Sequence, residues 1–256
     1  MAEASASRSA GRLVSLAGIA IALVVWEVAG RVAGPARFAP FSAVAREFVT
    51  VLGDGLTLPA LGMSLLQMLV GYGAGLAVGV PLGALMGRQA WADRAFQPWV
   101  SMMVVTSTAA LVPLLIVLFG TGFWFRTAVV FLATVWYVVI TTYQGARGID
   151  PRYLGAARSF GAGGWQSFRM VHLPALFPYL MTGARVGLVH AIRAMVMAEM
   201  YVLIGFGGRL QQTGLAISTA PLLCYLLLLM LVGVAATGGL RWLGGRLAPW
   251  YEEARA

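Results

Sequence analysis

The 256-residue chain contains no lysine; all 18 of its basic residues are arginine. A phosphate-binding P-loop needs a Lys to reach the nucleotide phosphates, so this chain does not bind and hydrolyse ATP in that way. Charge of either sign is scarce, 11% of residues against 60% hydrophobic, where a soluble domain carries about twice that charged share. The single cysteine, Cys224, excludes an internal disulfide and, lying in an apolar run, reads as a small packing residue. His172 and His190 are the only histidines, and no second His, Cys or carboxylate stands beside them at metal-ligand spacing, so no metal site is expected. There is no Gly-x-Ser-x-Gly elbow, no His-Glu-x-x-His and no paired intramembrane carboxylates, which leaves an enzyme without machinery. The net charge of +9 comes from arginines scattered singly between apolar runs. No basic stripe with interleaved aromatics exists for nucleic acid to follow.

What is present is apolar sequence in lengths that span a bilayer. With a mean hydropathy of +0.83, the chain reads as an all-α polytopic membrane protein with six transmembrane helices of about 20 residues. They are expected over Leu13 to Gly30, Pro59 to Gly87, Pro98 to Gly120, Trp124 to Tyr143, Leu176 to Met200 and Pro221 to Leu243. The first reads as a retained helix, not a cleaved signal. The third is interrupted by Ser101, Thr106, Ser107, Thr108 and Pro113. Non-helical backbone at membrane depth is tolerated only against protein or water, so this segment is expected to bend and line a path. Between the first two spans, Phe41, Val44, Phe48, Val51 and Leu52 follow helical spacing and predict a short interfacial helix.

Arginine placement predicts orientation. With the N-terminus inside, Arg8, Arg12, Arg88, Arg94, Arg147, Arg152, Arg158, Arg169, Arg241, Arg246 and Arg255 lie inside. Arg31, Arg37, Arg46, Arg126 and Arg209 lie outside, eleven against five, as the positive-inside rule requires. The whole chain, 1–256, then reads as one transmembrane domain with cytoplasmic tails at 1–12 and 244–256 and a cytoplasmic insert at 144–173. Within the insert, Pro151 suits a first helical turn with Asp150 as N-cap. Two short helices are expected to meet at Gly161-Ala162-Gly163-Gly164, with Trp165 and Phe168 anchoring the second against the membrane helices.

Two membrane segments carry unusual features. Gly71, Gly75, Gly79, Gly83 and Gly87 recur every four residues in the second, a stripe that lets another helix approach closely. Intimate packing within one bundle is the plainer reading of it and a moving or path-lining face the sharper one; Pro81 is expected to kink the run. The fifth contains Arg185, His190, Arg193 and Glu199. A charge near the bilayer centre costs at least about 2.5–3.5 kcal/mol on insertion scales, so such residues pair, face protein or line a pathway. Arg185, Ile192, Val196 and Glu199 fall near one face, with Arg193 about 80° and His190 about 140° from Arg185. Arg185 can snorkel to the headgroups, Glu199 can cap or pair near the outer end, and His190 reads as a packing residue. Arg193 sits about two turns inside and is expected either to pair with an acid or to present charge to a translocating anion. Arg193, Glu199, Arg185 and Val196 are the candidate path residues.

The insert resembles the coupling loop of ABC importer permeases, the binding-protein-dependent transport system inner-membrane component. That loop begins Glu-Ala-Ala, has a Gly four residues after the second Ala and a Leu-Pro about a dozen residues on. Here Gly155-Ala156-Ala157 is followed by Gly161, and Leu173-Pro174 closes the pattern; Gly155 stands where the family has Glu. The similarity extends over roughly residues 60 to 250. It is closest to the nitrate, taurine, alkanesulfonate, bicarbonate and pyrimidine-precursor subgroup, through LVPLLIVLFGTG (111–122), PALFPYLMTGARVGL (174–188), AEM (198–200) and, more weakly, FAPFSAV (38–44).

The resemblance implies the type I ABC importer transmembrane fold. It implies docking to the ATPase through Gly155, Ala156, Ala157, Arg158, Gly161 and Ala162. It further implies two ATPase subunits that bind ATP and Mg, a second permease copy, a periplasmic or lipid-anchored substrate-binding protein, and residence in the bacterial inner membrane with both termini cytoplasmic. The chain itself then carries no cofactor. Arg193 favours a small anion (a sulfonate, taurine or nitrate), whereas Trp124, Trp136 and Tyr137 keep a neutral pyrimidine precursor open. An ion-coupled secondary transporter would show inverted repeats or intramembrane acids. A membrane scaffold would tolerate loss of its intramembrane charge.

Overall fold

The computed structural model describes residues 2–34 and 37–247, and their side chains except those of 2–16, Pro151, Leu154, Ala156, Arg158 and Leu247. The described residues are predominantly helical and include no strand. In chain order the helices are α1 (Ala2–Ala33), α2 (Phe41–Gly53), α3 (Thr57–Arg88), α4 (Ala90–Val105), α5 (Thr108–Phe119) and α6 (Phe123–Arg147). They continue with α7 (Pro151–Ser159), α8 (Gly164–Ser167), α9 (Leu173–Val202), α10 (Gly205–Leu215) and α11 (Thr219–Leu247). Among the described residues, four helices are long and apolar enough to cross a membrane: α3, α6, the run Gly164–Val202 and α11. The α4–α5 pair makes a fifth crossing if taken as one bent span. The first expected span lies within α1, which starts at Ala2, so residues 2–12 continue it as helix. Residues 248–256 of the expected C-terminal tail lie outside the described residues.

The third segment bends by 102° between α4 and α5. The break falls at Thr106 and Ser107, both in extended backbone. The Thr106 N–H and hydroxyl both bond back to the Met102 carbonyl, at 3.0 and 2.8 Å, which ends the first helix. The segment also starts earlier than expected, at Ala90, with Pro98 inside α4. In α3 the helix runs through Pro81 without interruption.

The chain divides into two compact units, Met1–Pro59 with Arg209–Met230 and Ala60–Gly208 with Leu231–Ala256. In the first, the expected interfacial helix is α2. Its Val44 and Val51 are buried, Trp26 of α1 packs edge-on to Phe41, and the Trp26 indole N–H donates to the Ala39 carbonyl at 3.1 Å. Asp54 holds the start of α3. It accepts from the backbone N–H groups of Leu56 and Thr57 and from the Thr57 hydroxyl, each at 2.8 Å, and pairs with Arg209 at 3.1 Å. The Thr57 and Leu56 amides, before any other group, hold its carboxyl at about 2, below the ordinary 3.8.

The second unit is built around α6, whose valines and threonines are mostly buried. The α3 glycine row lies against it. A methyl added at Gly71, Gly75, Gly79, Gly83 or Gly87 would come within 2.5 to 2.9 Å of α6 atoms. Intimate packing is therefore what the stripe does. α9 approaches α6 in the same way, through Gly183 beside Thr141 and Gly187 beside Thr134 and Val138. The Tyr72 hydroxyl of α3 closes the trio by donating to the Ala184 carbonyl of α9 at 2.8 Å.

Candidate functional site

The insert begins as its residues dictate. Asp150 Oδ1 accepts the Arg152 N–H at 2.8 Å, an N-cap on α7, and Pro151 opens the helix. It ends in a Schellman closure. Gly161 adopts φ +79°, and the Ala162 N–H bonds to the Ala157 carbonyl at 3.0 Å. That closure is the physical content of the Ala-to-Gly spacing, because the left-handed residue must come four positions after the carbonyl it helps to satisfy. Gly155 meets no such demand: a Cβ built there touches nothing within 4 Å. Ala157 is half-buried and Ala162 likewise, while the side chains of Ala156 and Arg158 lie outside the described residues.

The insert is shorter than expected. Residues 144–147 belong to α6, and α9, which starts at Leu173, continues the preceding helical turns without a break. From Gly164 the chain is helical without a break to Val202, with a π turn over Phe168–His172 marked by the Leu173 N–H bonding to the Phe168 carbonyl. Pro174 has no N–H to give to the preceding turn, and the wider turn accommodates that loss. Phe168 stacks between Trp165 and His172, at 5.6 and 6.3 Å between ring centroids. Trp165 itself is 75% exposed, so it does not anchor the insert to the membrane helices of its own chain. Tyr153 and Met170 are also exposed, and Phe160, at the tip of α7, is 91% exposed.

On α9 the four candidate path residues are in different surroundings. Arg185 is half-buried and Val196 buried. Arg193 is exposed in the single chain and has no ion pair or hydrogen bond among the described residues. His190, one turn before it, stacks on Tyr137 of α6 with centroids 3.8 Å apart and planes 14° apart. Glu199 is wholly buried, at 0% exposure. Its Oε1 accepts from the Ser64 hydroxyl at 2.5 Å and its Oε2 from the Gly207 N–H at 2.8 Å, with the Arg126 guanidinium at 3.6 Å. Ser64 in turn accepts the Phe206 N–H at 3.3 Å. Gly205, at φ +74°, lies directly on the Glu199 carboxylate, where any Cβ would collide.

Sequence reasoning missed Ser64, Arg126, Gly205 and Gly207, along with α10 itself. The available signal was Glu199 followed by glycines at 205, 207 and 208. Those glycines bring α10 close enough for its backbone amides to serve a carboxylate.

A bundle of bilayer-length helices packed by glycine rows and interrupted by the capped insert helix α7 defines a multi-pass membrane protein. A family model, "Binding-protein-dependent transport system inner membrane component", matches residues 79–249. The chain belongs to that family, as a type I ABC importer permease. A probable ABC transporter permease protein of Brucella abortus (strain 2308) is 32% identical over 207 residues, 80% of this chain and 83% of that protein. The taurine transport system permease protein TauC of Escherichia coli (strain K12) is 26% identical over 250 residues, 94% of this chain and 91% of its own length. Among solved structures, the inward-facing MetNI methionine ABC transporter matches with a TM-score of 0.65 at 19% identity, covering 77% of this chain and 96% of that one. The family places ATP hydrolysis on a separate partner and takes substrate from a binding protein.

Proposed function

We propose that the chain is the permease of an importer for a small anion of the sulfonate, taurine or nitrate class. Two copies enclose one path, and each receives its ATPase subunit at α7. The N-terminus and the insert lie in the cytoplasm, as the arginine asymmetry supports. ATP and Mg belong to the partner. The observation that carries the anionic reading is Arg193, a guanidinium inside a membrane helix that no carboxylate among the described residues neutralises. An unpaired charge there is costly, and a passing anion offsets that cost. The taurine permease among the relatives supports the class.

Arg193→Leu is expected to cut uptake of taurine, ethanesulfonate or nitrate into proteoliposomes about tenfold or more, with the ATPase still co-purifying. Arg193→Lys, which keeps the charge, retains part of the rate. Unchanged uptake kinetics in the Leu variant would remove Arg193 from the path.

The docking reading makes a prediction at Gly155. Since a Cβ there meets open space, Gly155→Glu fits without strain and restores the carboxylate seen in the family. Replacing a mid-helix Gly also strengthens α7 by about 0.5–1 kcal/mol. The variant is expected to hold its ATPase partner more tightly through a detergent wash series. Weaker retention would mean that α7 seats by close approach of a bare backbone at this position.

A further inference from the structure

A groove of about 340 Å³ opens beside the end of α6, lined by Asp93, Arg94, Gln97, Pro98, Tyr143 and Arg147. It lies at the same end of α6 as the insert, since α6 finishes at Arg147 and α7 begins at Pro151. Arg147 is held in place there: it donates to the Tyr143 hydroxyl, its guanidinium lies 5.8 Å from the Tyr143 ring centre, and Asp93 is 3.9 Å away. Arg94 is exposed and has no ion pair or hydrogen bond among the described residues. Two arginines against one aspartate leave the lining with a formal charge of +1, which matches one phosphodiester.

The helix that carries four of the six lining residues, α4, also carries an apolar stripe. Trp91, Trp99, Met102 and Val105 are all exposed, and at 100° per residue they fall within about 120° of one another. The stripe runs about 21 Å along α4, from the groove's own turns toward the bend at Thr106. Tryptophans favour the headgroup level of a bilayer. The stripe thus begins beside the charged groove at that level and continues along Met102 and Val105, where acyl chains would lie. A free phosphate would use the arginines and leave the stripe idle. A zwitterionic lipid would bring an ammonium group for which the groove offers only Asp93, already beside Arg147.

We propose that this groove is a seat for the headgroup of an anionic phospholipid of the phosphatidylglycerol type. Arg94 and Arg147 bind the phosphodiester, Tyr143 orients Arg147, and the acyl chains follow the α4 stripe. The site is separate from the path on α9, and its occupancy would tie the base of α4 and α6, next to the insert, to the composition of the surrounding membrane.

The test is native mass spectrometry of the permease purified with its ATPase, titrated with phosphatidylglycerol, phosphatidylcholine or glycerol 1-phosphate. Wild type is expected to retain phosphatidylglycerol in preference to phosphatidylcholine. R94Q with R147Q is expected to reduce that retention about tenfold. R94Q alone, which breaks no contact in the fold, is expected to reduce it several-fold. Met102→Ser with Val105→Ser should lower lipid retention and leave glycerol 1-phosphate binding unchanged. The proposal is overturned if both lipids are retained alike, if R94Q retains phosphatidylglycerol as wild type does, or if glycerol 1-phosphate binds as tightly as the lipid.

Discussion

Gly83→Val is expected to destabilise the purified permease by about 3 kcal/mol or more, the upper end for overpacking a filled interior. A Cβ at Gly83 would sit 2.5 Å from the Val139 carbonyl oxygen, 2.8 Å from the Thr142 Cβ and 3.1 Å from the Tyr143 amide nitrogen. Two of those three atoms are backbone in the middle of α6, so no side-chain rotation relieves the contact and the helices must separate. Separation would strip Gly75 and Gly79, two turns and one turn back along the same seam, of their contacts with Thr134 and Val138. Gly73, on the same helix, is the matched control, because a Cβ there meets nothing within 4 Å. Gly73→Ala is expected to be neutral or to stabilise by up to about 1 kcal/mol through helix propensity. Thermal unfolding in detergent, followed by tryptophan fluorescence, separates the two outcomes. Equal melting temperatures for both variants would mean that the α3–α6 seam is looser than the glycine contacts require.

Glu199→Leu has the second largest expected effect. It removes the carboxylate that takes the Ser64 hydroxyl and the Gly207 N–H and leaves Arg126, whose side chain is only 12% exposed, without its counter-charge. Removing one partner of a buried pair costs about 3–5 kcal/mol, because the other charge stays behind. The loss should be local first. Leu203 and Gly205 both hold left-handed backbone between α9 and α10, and the Glu199 side chain, received by the Gly207 amide, fixes that turn. Amide exchange is therefore expected to accelerate over residues 203–208 before the rest of the chain loosens. Adding Arg126→Met to Glu199→Leu removes the orphaned charge and should recover a measurable part of the stability. A double variant as unstable as the sum of the two singles would show that the 3.6 Å pair contributes nothing of its own.

The legible parts of this molecule were those set by local pattern. Long apolar runs placed four of the expected spans and the bent α4–α5 segment because a bilayer leaves helices little freedom in length, and the glycines of α3 announced a close contact because only absence of side chain at every fourth position produces one. Asp150, Pro151 and Gly161 announced both ends of α7 because caps act within a turn. What stayed hidden depended on distant partners. Ser64 and Glu199 are 135 residues apart in sequence, and nothing near either one names the other. α10 reads as loop because Gly205, Gly207 and Gly208 disfavour helix, yet Gly207 is there for its backbone proximity to Glu199. Trp165 looked like an anchor; here it lies open on the insert and stacks on Phe168. The continuity of α8 into α9 was masked by Pro174, whose effect is a π turn and not a break.

This chain is expected to move solute only when an ATPase drives its insert. The most direct measurement is uptake of the binding protein's ligand, once calorimetry has fixed which anion that is, into proteoliposomes holding the permease with and without the ATPase subunit. Uptake is expected to require both the ATPase and ATP, and to be lost in Gly161→Trp, which cannot make the left-handed closure of α7. Uptake that persists without the ATPase would contradict it and would make the chain a transporter driven by some other gradient.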